Sequence, residues 1–310
     1  MHLVTFQKGR SQRIGAVWHG AILDLRGVET ELAVQRGERR VCFPWTMLEL
    51  IQGGPECWAT VRRVFDYGRS LVDAQDLQVL TRRGVAYPEK KGRLLAPIPR
   101  PARNIFCMGR NYAEHAAERG AQVPDRPVFF TKPPTTVIAP GADIVHHLAT
   151  AELDYEAELA VVIGRGGRDI PRAQALSHVF GYMNLNDVTA RDLQRAHQQW
   201  FKGKSLDTFC PIGPALVTAD EIPDPQRLSI QLRVNGKVRQ SASTSQMIFD
   251  VATLIEVLSL GMTLEPGDIL ATGTPSGVGA ATGEFLKPGD LVEVEVEGLG
   301  CLVNKVAAPE

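Results

Sequence analysis

Residues 153–164 read LDYEAELAVVIG, and the fold turns on this stretch. Its second half, LAVVI over 159–163, is unbroken and apolar, the pattern of a strand covered on both faces. Glu156 and Glu158 stand at the start of that strand, two residues apart, so a period of two sends both carboxylates to one side. Two like charges at the mouth of a buried strand are costly unless a cation sits between them. The stretch therefore predicts a rigid, doubly covered sheet with a positive charge held at one end.

The chain has 310 residues, enough for one large domain or for a catalytic domain with a smaller companion. A net charge of -1 gives no reason to expect a nucleic-acid partner. The N-terminus MHLVTFQKGR lacks the apolar core of a signal peptide, and no apolar run approaches the ~20 residues of a membrane span. Cys42, Cys57, Cys107, Cys210 and Cys301 are scattered, with no C-x-x-C pair. That distribution favours a reducing cytoplasm over a disulfide framework or a thiolate zinc site. Cys107 lies within the apolar stretch IFCMG and reads as a small core residue rather than a nucleophile.

Residues 1–95 read as a small α+β unit. Strands are expected at 2–6 and 13–25, the latter turning at His19-Gly20, followed by a helix over 45–51 closed by Gly53-Gly54. APIPRPAR, at 96–103, places three prolines in eight residues, which suits an extended linker, and we set the domain boundary there. Residues 104–310 then form the candidate catalytic domain, rich in strands: NIFCMG, PVFF, ELAVVIG and GYMNLND. A short helix starts at Pro171 and a hairpin turns at Asn235-Gly236. Asp250 caps a helix that stops at Gly261, and Pro-Gly-Asp at 266–268 and 288–290 introduces two further strands.

A third acid, Asp187, ends GYMNLND. Three carboxylates at strand ends, with no His or Cys nearby, are hard oxygen ligands that suit Mg²⁺ or Mn²⁺ rather than Zn²⁺. Ca²⁺ is less expected because no D-x-D-x-D-G loop is present. Other motifs carry less. GRGGRD (164–169) mimics a dinucleotide fingerprint, but its sixth position is Asp169 rather than glycine. ATGTPSGVG (271–279) lacks the ending of a phosphate-binding P-loop and reads as a tight, ligand-facing turn. His146 and His147 are adjacent, point opposite ways on a strand, and read as surface residues.

Taken together, NIFCMGRNYAEHAAE, FFTKPPTTVIAPG, LDYEAELAVVIGRGG, VFGYMNLNDVTARDLQ, KGKSLDTFCPIGP, RVNGKVRQ and GDILATGTPSGVG resemble the fumarylacetoacetate hydrolase superfamily. The stretches occur in the family's order and span roughly residues 103–306, while the first hundred residues resemble the smaller domain that many bacterial members carry. The resemblance implies an α+β, predominantly β catalytic fold, a mixed-sheet sandwich or roll, usually homodimeric. It implies a divalent metal on Glu156, Glu158 and Asp187, and an acid–base pair in His115 and Glu118, which a spacing of three puts on one helix face. It assigns Lys204 to complement an anionic substrate or its enolate, and brings Arg110, Arg191, Gln194 and Thr274 near the substrate. Arg191 could equally pair with Asp187 or Asp192.

A 2-oxo acid chelating such a metal would have its enolate stabilised. Hydrolysis of a C–C bond in a 2,4-dioxo acid, with His115 activating water, is the reading the retained His-Glu pair favours. The same enolate serves an oxaloacetate-type decarboxylase or an isomerase acting on a 2-hydroxy-diene-dioate. A homologue that binds a ligand without catalysis stands further off, because every one of these side chains is present.

Overall fold

A computed structural model describes residues 1–37, 43–118, 120 and 122–309, without the side chain of Lys91. The strand Ala157–Ile163 lies deep in a mixed sheet of twelve strands. It pairs antiparallel with Val179–Asn186 on one side and Ile269–Ala271 on the other. Beyond Ile269–Ala271 the sheet continues through a parallel neighbour, Ile105–Gly109, to Val128–Lys132. In the other direction Val179–Asn186 pairs with Cys210–Thr218, which pairs with His2–Lys8 and so with the N-terminal strands.

Both faces of Ala157–Ile163 are buried, as its apolar run requires. Leu159, Val161 and Ile163 join Ile230, Leu232, Val292 and Val294, residues of a second, five-stranded sheet. Ala160 and Val162 face a different cluster that contains Leu50, Val61 and Phe65 from the N-terminal helices. The α+β class with mixed sheets is therefore observed, one sheet packing on another and helices closing the far side.

The hairpin at Asn235-Gly236 forms, with both residues at positive φ (53° and 76°). Asp250 caps Val251–Ser259 through a 2.7 Å bond from the Thr253 amide, and both Pro-Gly-Asp turns introduce strands. The N-terminal segment differs more from expectation. Gly53-Gly54 does not close the helical region: Met47–Gln52 is followed directly by a second helix, Gly54–Ala74. Another helix, Leu25–Arg36, precedes both and is capped by Asp24. Gly68 lets the long helix approach Leu23 and Val28 closely, which is why a helix breaker sits within it.

Residues 96–103 form no helix or strand, yet Ala96, Ile98 and Pro101 are buried and Thr5 Oγ1 donates to the Pro97 carbonyl at 2.7 Å. The extended segment is packed, and the large sheet runs past it from Cys210–Thr218 into His2–Lys8. Cys107 and Cys210 are fully buried, and burial pushes the Cys210 thiol up to about 12 and the Cys107 thiol well above its usual range. His146 and His147 are half-buried, and Cys42 lies outside the described residues. Among the described residues no helix is long and apolar enough to cross a membrane.

Candidate active site

Antiparallel pairing sets the acids together. Ala157 opposes Asn186, so Glu156 and Asp187 meet at the same sheet end, joined by the Asp187 amide donating to the Glu156 carbonyl at 2.9 Å. One carboxylate oxygen from each of Glu156, Glu158 and Asp187 can be chosen so that all three lie within 4.8 Å of one another. All three side chains are buried. Two lysines and an arginine surround them. Lys204 Nζ donates to Glu156 Oε2 (2.8 Å) and Asp187 Oδ2 (2.7 Å), and Lys132 Nζ to Asp187 Oδ1 (2.6 Å) and the Val188 carbonyl (3.1 Å). Arg191 Nη2 forms an ion pair with Glu156 Oε1 at 2.7 Å.

Glu158 is served differently. Its Oε2 accepts from the Gly273 amide at 2.7 Å, but its buried Oε1 has no hydrogen-bond partner among the described residues. Burial first, then the charges of Asp187 and Glu156, push its pKa well above the usual carboxylate range, with Lys204 only partly opposing. Burial also works to raise Glu156, but Lys204 and Arg191 outweigh it and hold that carboxyl well below its usual range. An unpartnered buried carboxylate oxygen beside two further acids fits a missing cation. The triad could hold a metal ion, and its all-oxygen donor set matches the hard divalent cations.

The short helix Ala113–Glu118 carries the second constellation. His115 Nδ1 lies 2.8 Å from Glu118 Oε1, and Glu118 Oε2 accepts from the Gly277 amide at 2.9 Å. His115 Nε2 has no hydrogen-bond partner among the described residues. The ATGTPSGVG turn thus aims its amides at acids: Gly273 at Glu158 and Gly277 at Glu118. Both glycines have positive φ, and a Cβ at Gly277 would sit 2.1 Å from the Arg239 carbonyl oxygen.

A cavity of about 240 Å³ is lined by His115, Glu156, Lys204, Arg191, Gln194, Thr274 and Arg110, among others. Arg110 is exposed, takes a positive φ of 59°, and stacks over Trp200 at 5.3 Å with no acidic partner among the described residues. Thr274 Oγ1 accepts from Gln240 at 2.8 Å. Gln194 Oε1 accepts from Arg191 Nη1 at 3.1 Å.

One pairing is corrected. Arg191 pairs with neither Asp187 nor Asp192; its Nε donates to Asp154 Oδ2 at 2.8 Å, and its other ion pair is with Glu156. Asp187 is occupied by the two lysines, and Asp192 accepts from Thr150 and the Ala151 amide. Sequence reasoning assigned no role to Lys132 or Asp154. A lysine ending the apolar strand VFFTK before two prolines was the available signal for Lys132, since an ammonium there needs a buried anion.

Residues 104–307 match the model of the fumarylacetoacetate (FAA) hydrolase C-terminal family, and the chain belongs to that family. Oxaloacetate tautomerase YisK of Bacillus subtilis is 45% identical over 288 residues, covering 90% of this chain and 93% of the relative. A solved fumarylacetoacetate hydrolase from psychrophilic Exiguobacterium antarcticum superposes with a TM-score of 0.80 at 40% identity over the full length of both chains. A 5-carboxymethyl-2-hydroxymuconate delta-isomerase from Mycobacterium smegmatis gives 0.73 at 31% identity, again over both full lengths.

Proposed function

We propose that the protein is a divalent-metal-dependent enzyme that moves a proton between C3 and the C2 oxygen of a 2-oxo acid, with oxaloacetate the substrate to test first. One observation carries the reading: a histidine with its Nδ1 tied to a glutamate lines the same cavity as Glu156, one of three clustered buried carboxylates that could hold a cation. The tautomerase and isomerase activities named for the relatives support it. Mg²⁺ or Mn²⁺ on Glu156, Glu158 and Asp187 would supply Lewis-acid stabilisation of the charge that develops on the oxo oxygen.

The chain's own residues do the rest. Glu118 fixes the imidazole tautomer, so that His115 Nε2 carries the lone pair that takes the proton from C3. Lys204, buried between Glu156 and Asp187, adds positive potential where the oxo acid's carboxylate enters. Arg110, Gln194 and Thr274 complete the substrate contacts, Arg110 being suited to a second carboxylate because no acid among the described residues engages it. Residues 1–95 act as a supporting unit joined at 96–103, and all the residues assigned here to the metal, the proton and the substrate lie beyond it. A cytoplasmic homodimer completes the proposal, checked by light scattering for the dimer.

The test follows loss of the enol's ultraviolet absorbance with oxaloacetate, with Mg²⁺ or Mn²⁺ and then with EDTA. Metal-dependent turnover that falls ~10²–10⁴-fold in His115→Ala, with Mn²⁺ binding retained, is expected. Unchanged turnover in that variant, or lost metal binding, contradicts the assignment of His115. Hydrolysis of a 2,4-dioxo acid is the second reading, favoured by the same His115–Glu118 pair, which could equally activate water. Faster metal-dependent release of pyruvate from an acylpyruvate than tautomerisation of oxaloacetate would favour it. Release of CO₂ from oxaloacetate at a comparable rate would indicate decarboxylation.

A further inference from the structure

Asp154 has none of the roles above, yet it is fully buried and both of its oxygens are engaged twice. Oδ1 accepts from the amides of Tyr155 (2.8 Å) and Gly279 (2.7 Å). Oδ2 accepts from the Ala280 amide (2.9 Å) and from Arg191 Nε (2.8 Å). Arg191 carries the contact onward through an ion pair rather than an aligned hydrogen bond: its Nη2 lies 2.7 Å from Glu156 Oε1, the oxygen that Lys204 does not hold. The guanidinium is planar, so anchoring Nε orients the fork that faces Glu156.

The same carboxylate also ties down the glycine turn. Gly273 and Gly277 of that turn hold Glu158 and Glu118, and Gly279 and Ala280 at its end are held by Asp154. The approach is tight, since a Cβ at Gly279 would come within 2.7 Å of Asp154 Oδ1. One buried acid is therefore bonded to the arginine behind a triad member and to the segment that docks the acid–base pair.

We propose that Asp154 is a positioning residue: through Arg191 it fixes the carboxylate of Glu156 for the metal, and through residues 277–280 it fixes Glu118 and hence His115. The proposal rests on the reading of Glu156 as a metal ligand. Asp154→Asn tests it with little change of shape. Turning Oδ2 into an amide nitrogen sets a donor against the N–H groups of Arg191 and Ala280. Turning the amide the other way sets that donor against Tyr155 and Gly279 instead.

The experiment is a thermodynamic cycle read by Mn²⁺ binding to the full chain, using Asp154→Asn, Arg191→Lys and the double variant. Each single change is expected to weaken Mn²⁺ by ~10–100-fold, the usual effect of removing a partner of a metal ligand. The double variant is expected to bind no more weakly than the worse single one, because both changes break one chain of contacts. In Asp154→Asn, kcat is expected to fall more than KM rises. A lower melting temperature with unchanged Mn²⁺ affinity, or additive losses in the double variant, overturns the proposal. Should Asp154→Asn not fold, Arg191→Lys decides alone, and wild-type affinity there overturns it. Absence of Mn²⁺ binding by the unmodified chain would overturn the metal reading and this proposal together, whereas normal binding by the variants overturns this proposal only.

Discussion

Glu158→Gln separates the metal-free from the metal-loaded protein. Glu158 has one oxygen on the Gly273 amide and one with no hydrogen-bond partner among the described residues, and burial, then Asp187 and Glu156, push its pKa up. A glutamine matches the acid in shape, can keep the Gly273 contact and brings no charge beside Glu156 and Asp187, so stability without added metal should change by less than about 1 kcal/mol. Metal should then reveal the difference. At a metal concentration of roughly 100 Kd the wild type gains about 2.7 kcal/mol. For 310 residues at ~2.1 cal/mol/K each, the unfolding entropy is roughly 0.65 kcal/mol/K, so that gain raises Tm by about 4 °C. A ~30-fold loss of affinity leaves about 0.9 kcal/mol, or about 1 °C. Calorimetric melts with and without Mn²⁺ measure both numbers. A full metal-induced shift in Glu158→Gln would refute its role as a ligand. A variant several degrees less stable than wild type without added metal would refute the idea that Glu158 Oε1 lacks a partner.

The remaining predictions concern charge at the same place. Because burial, Asp187 and Glu156 raise the Glu158 pKa, a cation competes there with a proton, so Mn²⁺ affinity should fall as pH drops through that raised value and proton release should accompany binding in that range. Calorimetric titrations in buffers of differing ionisation enthalpy check this, and pH-independent affinity would contradict it. Lys132→Met leaves Asp187 without one of its two buried ammonium partners. The expected cost is about 3 kcal/mol in urea unfolding, at the low end for a broken buried pair because Lys204 still engages Asp187.

What could be read from the sequence alone followed from local pattern. The strand Ala157–Ile163 announced itself because a run covered on both faces has no polar position to hide. The carboxylate triad was legible because strand parity aligns Glu156 with Glu158, and an acid ending an apolar strand suggested a shared end. Partner choice was not legible. Pairing of His2–Lys8 with Cys210–Thr218 depends on which edge the N-terminal strands meet, which no window of sequence encodes. The helix Gly54–Ala74 was hidden by the two glycines at its entrance, which read as a stop when the helix was in fact restarting. Arg191 was matched with acids near it in sequence, whereas its partners Asp154 and Glu156 are brought to it by the short pairing of Leu153–Asp154 with Thr189–Ala190.

The most direct measurement is anomalous diffraction from crystals of the full chain soaked in Mn²⁺. A single strong peak coordinated by Glu156, Glu158 and Asp187, with Lys204 Nζ withdrawn from at least one of its two acids, is the predicted result. A peak elsewhere, or Lys204 still bridging Glu156 and Asp187 with no metal between the three carboxylates, would contradict the reading of this site as a metal centre.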